Sequence, residues 1–181
     1  MRILLMSLAF LILGGCTTMK IDDFAKTTPV FDLETYFTGH TRAWGMFEDG
    51  SGNIKRQFTV DIHGYHQDGE FVLDEFFVYN DGEKQTRTWR IRKLADGRYE
   101  GRAGDVVGVA EGVQRGQALN WRYKLELPFG EGTINVDFDD WMLLQPDGVL
   151  LNRAKVSKFG FGVGQVILFF QQKTPENNVT K

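Results

Sequence analysis

Ile134-Asn135-Val136-Asp137-Phe138-Asp139-Asp140-Trp141-Met142-Leu143-Leu144 alternates apolar and polar residues, the period-two pattern of a half-buried β-strand. Pro146-Asp147-Gly148 then supplies a turn, because Pro fixes φ and Gly tolerates positive φ. The chain returns as Val149-Leu150-Leu151-Asn152-Arg153-Ala154-Lys155-Val156. Ile134, Val136, Phe138, Met142 and Leu144 share one face of the first strand, and Asp140 shares it with them. An acid on an otherwise apolar face is the informative exception. A three-residue loop at the turn pairs Asp140 with Ala154 and Met142 with Asn152. On the other side Asp139 then faces Lys155 and Trp141 faces Arg153. Those outer pairs predict an exposed ion pair and a cation–π contact, each under ~1 kcal/mol.

Turn signals recur outside this hairpin at close spacing: Asp49-Gly50-Ser51-Gly52, Asp68-Gly69, Asp81-Gly82, Asp96-Gly97, Arg115-Gly116 and Pro128-Phe129-Gly130. The segments between them read as strands over 43–48, 55–65, 71–79, 84–93, 98–103, 107–114 and 117–127, with an apolar 162–172 at the end. Leu119, Trp121, Tyr123, Leu125 and Leu127 alternate with Asn120, Arg122, Lys124 and Glu126. Trp89 and Ile91 oppose Thr88, Arg90 and Arg92 in the same way. About ten strands joined by tight turns, with no long helix, predict an antiparallel meander. Polar faces on the strands argue against a parallel sheet covered on both sides. Closing such a meander buries its apolar face and removes its edges. The expected fold is all-β: an antiparallel up-and-down, lipocalin-like barrel, with a two-sheet sandwich as the alternative. A transmembrane barrel conflicts with the outward charges of Arg90, Arg92, Arg122, Lys124 and Glu126. Asp32 caps a short N-terminal helix that stops near Gly39. Its Leu33, Tyr36 and Phe37 are expected to plug one end.

Ahead of the strands stand Met1-Arg2, an apolar run Ile3–Leu13, and Gly14-Gly15-Cys16. A basic start, an apolar centre and small residues before a cut describe a secretory signal. The run falls short of the ~20 apolar residues of a membrane-spanning helix. Leu13-Gly14-Gly15-Cys16 resembles the lipobox of bacterial lipoproteins, which implies a diacylated Cys16 thiol and an acylated new N-terminus. Cys16 is the only cysteine in 181 residues, so no disulfide within one molecule competes for it. Thr17, rather than Asp, after the cysteine implies by the same resemblance the outer membrane of a Gram-negative bacterium, facing the periplasm. The expected organisation is a lipoprotein signal peptide at 1–15, the acylated Cys16 and a tether to 30, a β-barrel domain over 31–173, and a disordered tail at 174–181. A formal net charge of −3, mixed in sign along the chain, offers neither a nucleic-acid patch nor a polybasic membrane face.

The candidate ligand-binding residues follow from the barrel. Asp140 and Asn152 become polar groups in an apolar wall, with Met142, Trp121, Tyr123 and Trp89 turned inward beside them. A buried hydrogen-bond network fixing the register accounts for such a pair. A polar anchor at the base of a ligand cavity is the second account, behind the network. Asp139 and Asp140 point to opposite faces and do not flank one substrate as a carboxylate pair. Glu75 shares a face with Leu73, Phe77 and Tyr79, opposite Asp74, Phe76 and Val78. Both faces are mixed, and the expected role of Glu75 is pairing with an arginine. His63 and His66 flank Gly64-Tyr65 with His40 remote, and no metal is expected. Gly160-Phe161-Gly162-Val163-Gly164 precedes a β-rich run, which fits a strand bend better than a phosphate cradle. There is no Gly-x-Ser-x-Gly, and Ser51 and Ser157 carry no sign of a paired base. No cofactor is expected.

Asp74-Glu75-Phe76-Phe77-Val78-Tyr79-Asn80-Asp81-Gly82, Gly104-Asp105-Val106-Val107-Gly108, Asn120-Trp121-Arg122-Tyr123, Asp139-Asp140-Trp141-Met142 and Asn152-Arg153-Ala154 form a distinctive series. In this order it resembles the bacterial lipoproteins catalogued as domain of unknown function 3833, over nearly the whole mature chain. The resemblance implies a proteobacterial envelope lipoprotein and carries no defined activity. The expected function is a lipid-anchored barrel that binds or carries an apolar or lipid-like molecule. The alternatives are an enzyme or accessory in envelope lipid modification, or a structural lipoprotein with a filled barrel and protein partners. An open cavity with one acid favours the carrier, a filled core favours the structural protein, and two or more converging ionisable groups favour the enzyme.

Overall fold

The computed structural model describes residues 19–173. The signal segment, Cys16 and the C-terminal tail lie outside the described residues. A 3-10 turn at Ile21–Phe24 precedes a short helix, α1 (Leu33–Phe37). Ten strands follow: β1 (Gly39–Asp49), β2 (Ile54–Gln67), β3 (Glu70–Tyr79), β4 (Lys84–Lys93), β5 (Arg98–Arg102), β6 (Ala110–Arg115), β7 (Ala118–Phe129), β8 (Gly132–Leu144), β9 (Leu150–Lys158) and β10 (Phe161–Gln172). Each pairs with the next, and β1 closes antiparallel on β10 from Thr41↔Gln172 to Asp49↔Gly164. The closed barrel, not the sandwich, is the fold, and closure removes the free edges.

One end is sealed by α1. The Asp32 carboxylate accepts from the Thr35 N–H at 2.9 Å and caps the helix. Leu33, Tyr36 and Phe37 are buried, and the Tyr36 hydroxyl donates to the Phe170 carbonyl at 3.0 Å. Gly64 on β2 makes room for the helix end: a Cβ there would stand 2.0 Å from the Phe37 carbonyl oxygen. Phe31, Phe71, Tyr99, Leu119 and Leu150 pack in the same core, each contributing ~1.5–3 kcal/mol by burial. All of this core lies between Phe31 and Phe170, so a chain starting after Cys16 keeps every residue of it. At the opposite end Phe129, Phe159 and Phe161 stand exposed in and beside the β7–β8 and β9–β10 turns.

The β8–β9 register is Asp140↔Ala154, Met142↔Asn152, Asp139↔Lys155 and Trp141↔Arg153, as the turn implies. The outer contacts differ from expectation. The Asp139 carboxylate turns towards β7, accepting from Asn120 Nδ2 at 2.6 Å and Arg122 Nε at 3.1 Å. Two donors there replace the single ammonium of Lys155. Trp141 lies against Phe24, ring centroids 6.0 Å apart, rather than against Arg153. The cover comes from the segment read as tether. Its Thr27 Oγ1 accepts from the Gln117 N–H at 3.1 Å, and its neighbour Phe31 donates its N–H to the Gly116 carbonyl at 2.8 Å. Burying Phe24 against Trp141 is worth more than leaving both in water, so this part of the N-terminal stretch packs on the outer wall. β6 also starts later than expected. Val107 belongs to a loop that leans on β7, where its N–H donates to the Lys124 carbonyl at 2.8 Å.

Candidate functional site

Inward side chains enclose a cavity of about 810 Å³, within the ~300–1,000 Å³ typical of small-molecule sites. Leu33 and Phe37 line its sealed end, and Phe129 and Val163 line the end near the exposed turns. Asp140, Asn152, Met142, Trp121, Tyr123 and Trp89 all face it. The barrel is therefore not filled. Its room has a local cause: the Trp121 ring lies flat along the wall over β6 and β5. A Cβ on Gly112 would stand 2.4 Å from Trp121 Cε3, and one on Gly101 would stand 2.6 Å from its Cζ2. Trp89 meets Trp121 and Tyr123 edge-on at 5.7 and 5.4 Å, and Tyr123 stacks on Phe138 at 5.0 Å. Such aromatic contacts add ~0.5–1.5 kcal/mol each beyond burial and stiffen the wall.

Two polar clusters interrupt this surface. In the first, Asp140 Oδ2 accepts weakly from Asn152 Nδ2 and from the Tyr123 hydroxyl, both at 3.4 Å. Asp140 and Asn152 are each 5 % exposed. Burial pushes the Asp140 carboxyl up to about 7, against the opposing pull of Asn152 and Tyr123. The Tyr123 hydroxyl is raised by burial and then by Asp140 beside it.

The second cluster is centred on Arg87 of β4, which stands directly across from Glu75 of β3. Its guanidinium donates from Nε and Nη2 to Asp105, at 3.0 and 2.7 Å to Oδ2. Nη1 is 3.7 Å from Glu75 Oε2, an ion pair too long for a hydrogen bond. Burial pushes Glu75 up to about 7; Arg87 opposes this and Asp105 adds to it. Burial works against the Arg87 charge, yet Glu75 and Asp105 hold its pKa above the ordinary value. Nearer the exposed turns, Arg56 reaches Asp81 and Glu83 at 2.9 and 2.8 Å and lies 3.6 Å over the Tyr79 ring.

The structure brings Asp140, Asn152 and Tyr123 together and gives Glu75 the arginine partner expected for it; sequence reasoning left open which face Glu75 takes and named neither Arg87 nor Asp105. The Asp81-Gly82 hairpin carried the missing signal: centring it there sets residue 75 opposite 87. Asp105 comes from an irregular loop whose approach no periodicity foretells. The histidines stay apart from the cavity: His40 and His63 stack at 4.6 Å, and His66 lies 3.7 Å from Glu34. Among the described residues no group of three or more His, Cys, Asp or Glu is placed to hold a metal. The Gly160–Gly164 run is a strand start with an irregular register between Gly162 and Gly164, the bend expected there.

A closed antiparallel barrel, plugged at one end by a helix and holding an apolar cavity, defines a lipocalin-like protein. Residues 10–172 match the family model described as protein of unknown function DUF3833, and the chain belongs to that family. The barrel is similar to the solved structure of an S-type phycobiliprotein lyase from Guillardia theta. That likeness has a TM-score of 0.60 at 8 % identity, over 88 % of this chain and 100 % of the other, and it concerns the fold. No curated protein matches the chain.

Proposed function

We propose that this protein is a lipid-anchored carrier that holds an apolar or amphipathic molecule inside its barrel, on the periplasmic side of a Gram-negative outer membrane. One observation carries the binding half: the cavity of about 810 Å³, apolar over most of its wall. A side-chain-filled barrel would have no such space. The anchoring half rests on Leu13-Gly14-Gly15-Cys16 and on Thr17. Two or three acyl chains, at ~0.8 kcal/mol per buried CH₂, give firm attachment. The test is native mass spectrometry of the chain from Thr17 onward, purified without detergent. A small apolar adduct released on denaturation supports the carrier; a protein that neither retains nor takes up any apolar molecule removes it. Radioactive palmitate that labels the full chain but not Cys16→Ser supports the anchor, and an unlabelled full chain overturns it.

A second reading is favoured by a specific observation: Asp140 and Glu75 both stand on the cavity wall with carboxyls held near neutrality. That is the range in which a carboxyl takes and gives protons, so an enzyme acting on a bound lipid has its acid and base at hand. Turnover of an isolated bound lipid separates it from the carrier, which releases its cargo unchanged.

A further inference from the structure

Three acceptor oxygens on the cavity wall lack a hydrogen-bond partner among the described residues: Asp140 Oδ1, Asn152 Oδ1 and Glu75 Oε2. All three residues face the cavity, and Asp140 and Asn152 are almost wholly buried. A buried acceptor without a donor has given up its hydrogen bonds to water and gained none in return. On this part of the wall what is missing is donors; the unpartnered Arg56 Nε, a donor, stands apart beside Asp81 and Glu83.

The charges agree. The two guanidiniums that face the cavity are already committed, Arg87 to Asp105 and Glu75, and Arg56 to Asp81 and Glu83. Asp140 has no cationic partner within salt-bridge distance among the described residues; its nearest polar contacts are Asn152 and Tyr123. Carboxylates thus outnumber cations around the cavity. An anionic headgroup beside Asp140, Asn152 and Glu75 would enter a surplus of negative charge; the one cavity-facing donor left without a partner, Arg56 Nε, lies nearer the exposed turns, on a guanidinium already ion-paired with Asp81 and Glu83. An ammonium brings three donors and no acceptor, and a hydroxyl brings one donor.

We propose that the molecule held in the barrel bears hydrogen-bond donors and no negative charge at its polar end, an amine- or hydroxyl-headed amphiphile, and that Asp140, Asn152 and Glu75 receive it. This rests on the carrier reading and specifies its cargo. The aromatic floor and walls take the apolar body, and the acceptors select the head. Beside these acceptors the head of a fatty acid or a phosphate-headed lipid is repelled.

Four probes with one chain length separate the possibilities: dodecylamine, dodecanol, dodecyl methyl ether and dodecanoate. Each competes at pH 8 with the neutral fluorophore N-phenyl-1-naphthylamine for the chain from Thr17 onward. The expected order is amine, alcohol, ether, acid, with the amine at least tenfold tighter than the acid. Asp140→Asn should cut the amine's advantage about tenfold, while the outward-facing control Lys155→Gln leaves it unchanged. Binding of dodecanoate as tight as the amine, or an ether equal to the alcohol, overturns the proposal and leaves the carrier intact. If neither the fluorophore nor any probe binds, the carrier reading falls and this one with it. The order of probes on the unsubstituted protein decides the matter even if Asp140→Asn does not fold.

Discussion

The indole of Trp121 occupies the space that a side chain on Gly112 would need, 2.4 Å from the position of its Cβ. The two residues are direct partners across β6 and β7. The glycine thus sets where the tryptophan lies, and the tryptophan sets where the cavity wall is. Gly112→Ala should destabilise the barrel by ~1–3 kcal/mol through overpacking. In a Trp121→Leu background the same substitution should cost little, because the ring that it strikes is gone. Equal costs in both backgrounds, measured by urea unfolding, would show that the glycine answers to something other than Trp121.

Asp140 and Glu75 should make stability fall as pH rises. Both carboxyls are raised to about 7 by burial, while in the unfolded chain they titrate near ~4. Between those values the folded state holds more protons than the unfolded one, so stability falls as pH rises. The melting temperature should therefore drop from pH 5 to pH 8 and level off above. Asp140→Asn and Glu75→Gln should each remove part of the slope. A flat or rising profile over that window would contradict the buried, raised carboxyls.

Much of this was open to sequence reading, for physical reasons. Antiparallel hairpins fix their own register once the turn is known, so Pro146-Asp147-Gly148 alone placed Asp140 beside Asn152. Period-two alternation in β7 sent Trp121 and Tyr123 inward. β3 defeated the same reasoning, since Glu75 and Phe76 make both faces mixed and alternation has nothing to choose between. The side is decided by Arg87 across the strand pair and by Asp105 from the 103–109 loop, contacts that close only in the folded barrel. Phe24 was lost for a related reason: a polar stretch with one aromatic looks like a linker until Trp141 offers it a surface.

Arg87 holds two carboxylates, and burial raises one of them, Glu75, to about 7. Arg87→Met should cost ~3–5 kcal/mol at pH 8, because it strands Asp105 and an ionised Glu75. At pH 5 Glu75 is protonated and the loss should shrink. Adding Glu75→Leu at pH 8 should recover part of it by removing one of the stranded charges. A penalty that is the same at both pH values, by chemical denaturation, would mean that Glu75 carries no part of the interaction.

Asp140 and Asn152 admit two roles, and their joint replacement separates them. The side chain of each makes only long hydrogen bonds, at 3.4 Å, and leaves one oxygen unpartnered among the described residues. A pair kept for stability would be better satisfied than this. Removing one member alone strands the other at ~1–3 kcal/mol, but replacing both by apolar groups of similar shape is nearly neutral or stabilising. Asp140→Leu combined with Asn152→Leu should therefore melt at or above the parent temperature at pH 8, yet lose its preference for an amine or hydroxyl head. Asp139→Leu is the control one position away: it breaks the Asn120 and Arg122 contacts on the outer face and should cost ~1–2 kcal/mol with no change in the cargo. A double variant that loses more than ~3 kcal/mol while binding as before would make the pair a structural network, with no part in selecting what the barrel holds.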